Sequence, residues 1–309
     1  MTAAPAPPLA IQYFAKGHGA ENDFVILPDP DGRLVLSADD VIRLCHRRSG
    51  LGADGILRAV RCAAEPEAAP MADSAEWFMD YRNADGTRGA MCGNGIRLLA
   101  RFLVDAGHCA PGPLALATRA GTRHIHVPTR SPDFRGPVSV MMGRPTLPGP
   151  DGIEVTAGPR RWPAVHVDMG NPHAVAFVDD LALAGDLRTA PTVTPAHAYP
   201  HGVTTEFVTM LGPRHLALRV HERGVGETRA CGTGACAAVA ALRARDPQSS
   251  SRGDYAVDAP GGRLHIRVHP DGMELTGPAA IIAQGALTFR PAHDAPAADH
   301  VEHQKATAS

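Results

Sequence analysis

Short apolar runs, several of them alternating with polar positions, recur along the chain between Gly- and Pro-containing turns. In GRLHIRVHP (262–270), Leu264, Ile266 and Val268 fall on one side of a pleat and Arg263, His265 and Arg267 on the other. The pattern predicts strands at LAIQYFAK (9–16), DFVILPD (23–29), EWFMDYRN (76–83), GTRHIHVP (121–128), VSVMMG (138–143) and AVHVDMG (164–170). It continues with HAVAFVDD (173–180), TEFVTML (205–211), HLALRVHE (215–222), DYAVDAP (254–260), GRLHIRVHP and MELTGP (273–278). Helices are expected at only three places. These are SADDVIRLCHRR (37–48) with Ser37 as N-cap, GIRLLARFLVDAG (95–107) closed by Gly107, and the alanine-rich GACAAVAALRARD (234–246). The string GLGADG (50–55) matches GxGxxG, but it follows a helical segment where a dinucleotide site needs a strand, so it reads as a turn.

The two halves of this pattern repeat. GAENDFVILPD (19–29) resembles MGNPHAVAFVDD (169–180), which pairs Asn22 with Asn171 ahead of a strand. EWFMDYRNADGTRGAMCGNG (76–95) aligns without a gap on HLALRVHERGVGETRACGTG (215–234), so that Asn83 matches Glu222 and Cys92 matches Cys231. Similarity at one long period points to duplication of a unit of roughly 130 residues. Duplicated units facing each other about a twofold axis bring equivalent residues to one cleft, which opposes Cys92 and Cys231.

Composition narrows the class. The chain of 309 residues is 44% hydrophobic and 20% charged with a net charge of -2, a globular profile without a basic footprint for nucleic acid or anionic membranes. The opening MTAAPAPPLA lacks the features of a secretory signal, and no apolar run is long enough to span a bilayer, so a cytoplasmic location is expected. Six cysteines without a CxxC favour free thiols over a disulfide scaffold or structural zinc. Only two of the 30 basic residues are lysines, Lys16 and Lys305, which disfavours a Schiff-base cofactor. Residues 1–8 and 290–309 lack periodicity and apolar content and are expected to be disordered ends.

Each repeat ends in Cys-Gly-x-Gly at the mouth of a helix: MCGNG (91–95) and ACGTG (230–234). Glycine lets main-chain N–H groups come close to a ligand, and free N–H groups at a helix start bind carboxylate. The same positive ends are expected to lower a thiol's pKa and make a thiolate base. A thiolate on one face of a carbon and a thiol on the other can remove a proton and return one to the opposite side. The repeat therefore predicts two-base racemisation or epimerisation beside a carboxylate, without a cofactor. A cysteine hydrolase using His173 as base is the rival from another class, although it leaves one thiol idle; a carboxylate-binding module is a third reading. His18 and His173, beside the paired asparagines, are candidates to line the cleft.

Taken together, KGHGAENDF, YRNADG, MCGNG, MGNPH, HERGVGET and ACGTGAC resemble the diaminopimelate epimerase family from about Phe14 to Gly285. The resemblance implies an α+β fold of two pseudo-symmetric domains, each an antiparallel sheet or barrel around a central helix, with the active site between them. It divides the chain into 9–133 with 280–289 and 134–279, and implies a homodimer that uses neither pyridoxal phosphate nor metal. The implied reaction interconverts LL- and meso-2,6-diaminopimelate, a small-molecule amino-acid substrate. By the same resemblance, Cys92 acts on the LL isomer and Cys231 on the meso isomer. Gly93, Asn94, Gly232 and Thr233 supply main-chain donors to the reacting carboxylate. Asn22, Asn83, Asn171, Glu222 and Arg223 hold the rest of the substrate, and His173 and Glu222 influence thiol protonation. Two positions depart from the family pattern: Gly55, where many members have glutamine, and Thr204, where a substrate-binding asparagine is usual. The second leaves open a related racemase acting on another amino acid.

Overall fold

The computed structural model describes residues 10–147, 149–245 and 252–289. The two ends expected to be disordered, and Lys305 with them, lie outside the described residues. In chain order the first half contains β1 (Ala10–Gly19), β2 (Asn22–Pro28), α1 (Ala38–Cys45), β3 (Gly55–Arg61), β4 (Trp77–Asn83), α2 (Gly93–Asp105), β5 (Gly112–Ala117), β6 (Arg123–Val127) and β7 (Arg135–Gly143). The second half contains β8 (Glu154–Ala157), β9 (Arg160–Asp168), β10 (Pro172–Phe177), β11 (Thr192–Thr194), β12 (Thr204–Gly212), β13 (His215–Glu222), β14 (Gly226–Thr228), α3 (Gly232–Arg245), β15 (Gly253–Ala259), β16 (Gly262–His269) and β17 (Gly272–Phe289).

The strands form two lobes with one pairing scheme. In the first, β1 and β2 are antiparallel, β2 and β3 parallel, β3 and β4 antiparallel, β4 and β5 parallel, and β5, β6 and β7 successively antiparallel. In the second, β9, β10, β12, β13, β15, β16 and β17 repeat that order and those directions. The sheets are mainly antiparallel, as expected, with two parallel pairs in each lobe. Each parallel pair is joined by a long crossover carrying α1 or the short 3-10 turns, or by the central helix itself.

The lobes meet on the β7–β17 ladder, where Val140 pairs with Leu275 and these two residues occupy matching places in the repeat. A pseudo-twofold axis therefore passes through that pair. Beyond it, β17 runs on to pair with β1 from His18–Ala280 to Ala10–Phe289, which closes the first ring. On the other side the chain leaving β7 reaches β9, and Thr146 and Asp168 exchange main-chain hydrogen bonds of 2.8 and 3.1 Å. Phe134, where the sequence places the seam, adopts φ 55° immediately before β7.

A helix fills each ring. Ile96, Leu98, Leu99, Phe102, Leu103 and Val104 of α2 are all buried, and α2 touches every strand of its ring. Burying such side chains stabilises the fold by about 1.5–3 kcal/mol each. Gly107, with φ 84°, ends this helix by donating its N–H to Val104 O at 3.1 Å. In α3 the buried face is almost entirely Ala235, Ala237, Ala238, Val239, Ala240 and Ala241, so the second ring closes around a thinner rod. At the N-terminus of α1, Ser37 and Asp40 form a reciprocal capping box. The helix stops at Cys45, short of the expected Arg48, because His46 is already extended.

Several strands were not legible. In β3, Arg58 lies where alternation calls for an apolar side chain, and it is buried on Asp29, Glu65 and Asp80. Charged groups inside the sheet hide the period-two signal. GLGADG is a turn as far as Asp54, and its last glycine opens β3. β5, β8, β11 and β14 are short or rich in Ala, Gly and Thr and carry little pattern.

Arg101 and Asp105 of α2 form an ion pair of 3.1 Å with both side chains buried; Arg101 also donates to Thr129 O, and Asp105 accepts from the Ser131 N–H. Removing one partner strands the other charge in the core. Asp105→Ala is expected to lower the unfolding free energy by about 3–5 kcal/mol in urea denaturation. A loss below 1 kcal/mol, roughly the upper end for exposed pairs, would contradict the buried-pair reading.

Candidate active site

The two Cys-Gly-x-Gly segments form matching helix starts. Cys92 is the N-cap of α2: its carbonyl accepts from Ile96 N at 2.9 Å and its sulfur from Gly95 N at 3.4 Å. Cys231 does the same for α3, with Ala235 N at 2.9 Å and Gly234 N at 3.4 Å. Both thiols are free. The helices meet end to end at the axis. A Cβ on Gly93 would lie 3.6 Å from Gly232 Cα, and one on Gly232 would lie 3.5 Å from Gly93 Cα and 2.9 Å from Leu275 Cδ2. A Cβ would make ordinary contacts at Gly93, whereas at Gly232 it would press on the Leu275 side chain, so glycine is required at Gly232.

Asn94 ties the lobes together. Its amide nitrogen donates to Ala230 O at 2.8 Å and to Asn22 Oδ1 at 3.4 Å, while its oxygen accepts from Arg97 at 2.7 Å. The Cys92 thiol donates to the same Asn22 oxygen at 3.7 Å. Asn22 is held in turn by Asp54 at 2.7 Å. Asp54 and Asp23 are bridged by Arg47, which with Lys16 holds the Asp23 carboxyl down at about 2 against the upward pull of burial. Lys16 also donates to Gly52 O.

On the other side of the axis, Thr233 Oγ1 lies 3.3 Å from the Cys231 sulfur. Glu222, at the end of β13, accepts from Thr228; burial pushes its carboxyl up, against bonds from Thr228 and Cys231 that pull it down. Its charge reaches both thiols. Thr204 Oγ1 accepts from the Arg223 N–H at 3.3 Å, and the exposed Arg223 guanidinium donates to His201 O at 3.4 Å. His173 is fully buried, with Nδ1 2.6 Å from Glu206 Oε1.

Of the expected residues, the fold thus brings Cys92, Asn22, Gly93 and Asn94 against Gly232, with Cys231, Thr233 and Glu222 across the axis. Thr204 and Arg223 are hydrogen-bonded to each other, and Arg223 follows Glu222 in the chain. Asn83 bonds Tyr81 and Thr87, and Tyr81 senses the charges of Cys92 and Glu222. Asn171 sits in the β9–β10 turn, where its carbonyl accepts from Met169 N–H at 3.1 Å. His18 Nδ1 accepts from Glu21 N–H at 3.3 Å.

The expected lowering of the thiols is corrected. Burial pushes Cys92 up to about 11 and Cys231 well above the ordinary thiol value of 9.0. The helix N–H groups pull both down, but desolvation outweighs them, and Glu222 adds to it at both sites with Glu206 adding at Cys231.

Three residues close to this junction were not singled out from the sequence. Arg97 is fully buried, donates to Gly93 O at 2.8 Å and to Asn94, and pairs with no carboxylate among the described residues; burial pulls it down to about 10. Tyr81 and Glu206 are the others. Carrying the repeat past the quoted motifs would have flagged Arg97, because its counterpart is Cys236 and only one of the two carries a charge.

The diaminopimelate epimerase family model matches residues 14–148 and 165–282. The chain is 56% identical over 277 residues to the diaminopimelate epimerase of Streptomyces coelicolor, covering 88% of this chain and 94% of that one. To the diaminopimelate epimerase of Corynebacterium glutamicum it is 45% identical over 277 residues, covering 89% and 97%. Among solved structures, a PhzF-family phenazine biosynthesis protein of Bacillus anthracis has a TM-score of 0.64 at 14% identity, covering 90% of this chain and 99% of that one. A hydroxyproline epimerase from Agrobacterium vitis has a TM-score of 0.61 at 15% identity, covering 90% and 93%. These last two likenesses are of fold.

The buried thiols make stability depend on pH. Burial raises Cys45, Cys92 and Cys109 to about 11 and Cys236 to about 12. Above the ordinary thiol value of 9.0 the unfolded chain loses these protons first, so the folded chain binds more. The stabilisation is full below about pH 9 and is lost as pH rises through about 11. The urea midpoint is expected to fall between about pH 8 and about pH 10.5; a constant or rising midpoint would contradict the assignment.

Proposed function

Because the chain belongs to the diaminopimelate epimerase family, we propose that it interconverts LL- and meso-2,6-diaminopimelate with the Cys92 and Cys231 pair as its two bases. The identity of 56% across most of both chains carries the reaction and its substrate, and the matched helix starts support the two-base route. The step serves the supply of lysine and peptidoglycan precursors.

In this reading the reacting carboxylate lies at the paired helix starts. The N–H groups around Gly93, Asn94, Gly232 and Thr233 receive it and the negative charge that grows as the α-proton leaves. The Cys92 thiolate takes the proton of the LL isomer while Cys231 delivers its own to the opposite face, and the reverse reaction exchanges the roles. Asn22, Asn83, Asn171, Thr204, Glu222 and Arg223 grip the rest of the substrate, Arg223 by a two-point contact with the distal carboxylate. His173 and Glu222 tune the thiols. The chemistry calls for neither cofactor nor metal.

The Thr204 departure bears on the grip. Its hydroxyl is committed to the Arg223 N–H at 3.3 Å and so fixes the main chain of the residue assigned to the distal carboxylate. As domains we propose 9–133 with 280–289 and 134–279, a division that falls just before β7, the strand whose ladder with β17 joins the two lobes. The working form is a homodimer in the cytoplasm; the exposed Ile11, Tyr13 and Ile282 on β1 and β17 supply an apolar surface for the pairing.

Turnover in deuterium oxide is expected to place deuterium at the inverted carbon, and product without it would rule out the two-base route. Cys92→Ser and Cys231→Ser are each expected to lower kcat/KM by about 10²–10⁴-fold. Full activity in either variant would exclude the pair. Thr204→Val is expected to raise KM by about two- to tenfold, the worth of one hydrogen bond of about 0.5–1.5 kcal/mol, with kcat kept. A fall in kcat at constant KM would move Thr204 from substrate grip to the chemical step.

A further inference from the structure

Besides Arg97 and Cys236, the twofold relation between the lobes fails at a second buried place. Phe24 pairs with Gly55 across β2 and β3, as His173 pairs with Thr204 across β10 and β12. The same register matches Leu57 with Glu206. These residues lie beneath equivalent helix turns: a Cβ on Gly95 would sit 3.1 Å from Leu57 Cδ2, and one on Gly234 would sit 2.7 Å from Glu206 Oε1. One lobe therefore supports its thiol-bearing turn with Phe24 and Leu57, and the other with His173 and Glu206.

Packing alone does not call for the polar pair, since the sister lobe shows an apolar solution in the same frame. His173 and Glu206 are both fully buried, 2.6 Å apart, and His173 Nε2 and Glu206 Oε2 have no hydrogen-bond partner among the described residues. Placing such a pair in the core costs solvation that Phe and Leu do not pay.

The surroundings of the two thiols differ accordingly. Cys231 has Glu206 on β12 and Glu222 on β13 around it, with His173 on β10 behind them against both carboxyls, Cys92 and Arg97 across the axis on α2 and Cys236 further along α3. Cys92 has Glu222 and Tyr81 on one side and the Arg97 cation on its own helix. Acids dominate the first setting, and the second holds a buried positive charge.

We infer that Glu206 is a positioning residue that, with His173, makes the two thiols unequal: Cys231 keeps its proton, and Cys92 is the thiol that yields one to become the base. The inference rests on the epimerase reading and deepens it, because an enzyme in that form meets the LL isomer. Protons balance over the cycle. Turnover of the LL isomer leaves Cys92 protonated and Cys231 as thiolate, and resetting releases one proton from Cys92 to water and returns one to Cys231.

The test is peptide-resolved iodoacetamide alkylation against pH for the parent, Glu206→Gln and Glu206→Leu. The first variant keeps the shape; the second installs the side chain found at Leu57 in the sister lobe. The parent is expected to show a higher alkylation midpoint for Cys231 than for Cys92. Both variants should lower the Cys231 midpoint by about one pH unit or more, the effect of removing a charge at close range, and leave that of Cys92 in place. In turnover, the alkaline limb of kcat/KM for the LL isomer should move to lower pH. Coincident or reversed midpoints in the parent, or an unchanged Cys231 midpoint in Glu206→Gln, would overturn the inference, and that variant decides if Glu206→Leu does not fold. Alkylation needs no substrate, so a parent without diaminopimelate turnover would separately refute the epimerase reading.

Discussion

Two helices that meet start to start at a pair of glycines set the terms for this molecule. Each start carries roughly half a positive charge, and bringing two together with only Gly93 and Gly232 between them opposes like charges at short range. Association of the lobes has to offset that repulsion. The Asn94 amide does so partly by reaching from one lobe to Ala230 O of the other, and the shared β7–β17 ladder with its continuous apolar core does the rest. What remains is a positive focus suited to a carboxylate. The arrangement that burdens the free fold thus suits the carboxylate-binding role proposed for it.

Much of this was legible from residues alone, because duplication makes a sequence its own alignment. The gapless match of 76–95 with 215–234 singled out both cysteines and both sets of glycines, and the resemblance supplied the residues proposed to grip the substrate. Ser37 and Gly107 announced helix ends through local chemistry that needs no tertiary context. Legibility failed where a charge is buried. Arg58 hid β3 because its ion partners lie far along the chain, and with β3 unrecognised, Leu57 and Glu206 could not be compared. The thiol acidity failed for a similar reason, since a helix start is visible in sequence but the depth at which it is buried is not.

The lobes agree in strand order, direction and helix placement, yet diverge at buried polar groups beneath and beside the helix starts. Arg97 faces its counterpart Cys236, and the His173–Glu206 pair answers Phe24 and Leu57. A reaction that exchanges two stereoisomers asks for mirror-related bases, which the duplicated frame supplies. The isomers themselves are unequal, and in the proposed scheme single substitutions beneath a common backbone adjust each base without disturbing the frame.

The 18 residues of β17 belong to both lobes, and they come last among the described residues. During synthesis the first ring has emerged up to β7 but lacks the strand that joins β7 to β1, so its apolar helix α2 stays uncovered along that seam. Folding lobe by lobe as the ribosome proceeds, the usual course for tandem units, is denied to this chain. Both halves must wait for one terminal segment, which makes the whole a single cooperative unit, and a ribosome stalled shortly before Gly272 would hold two open cups rather than one finished lobe.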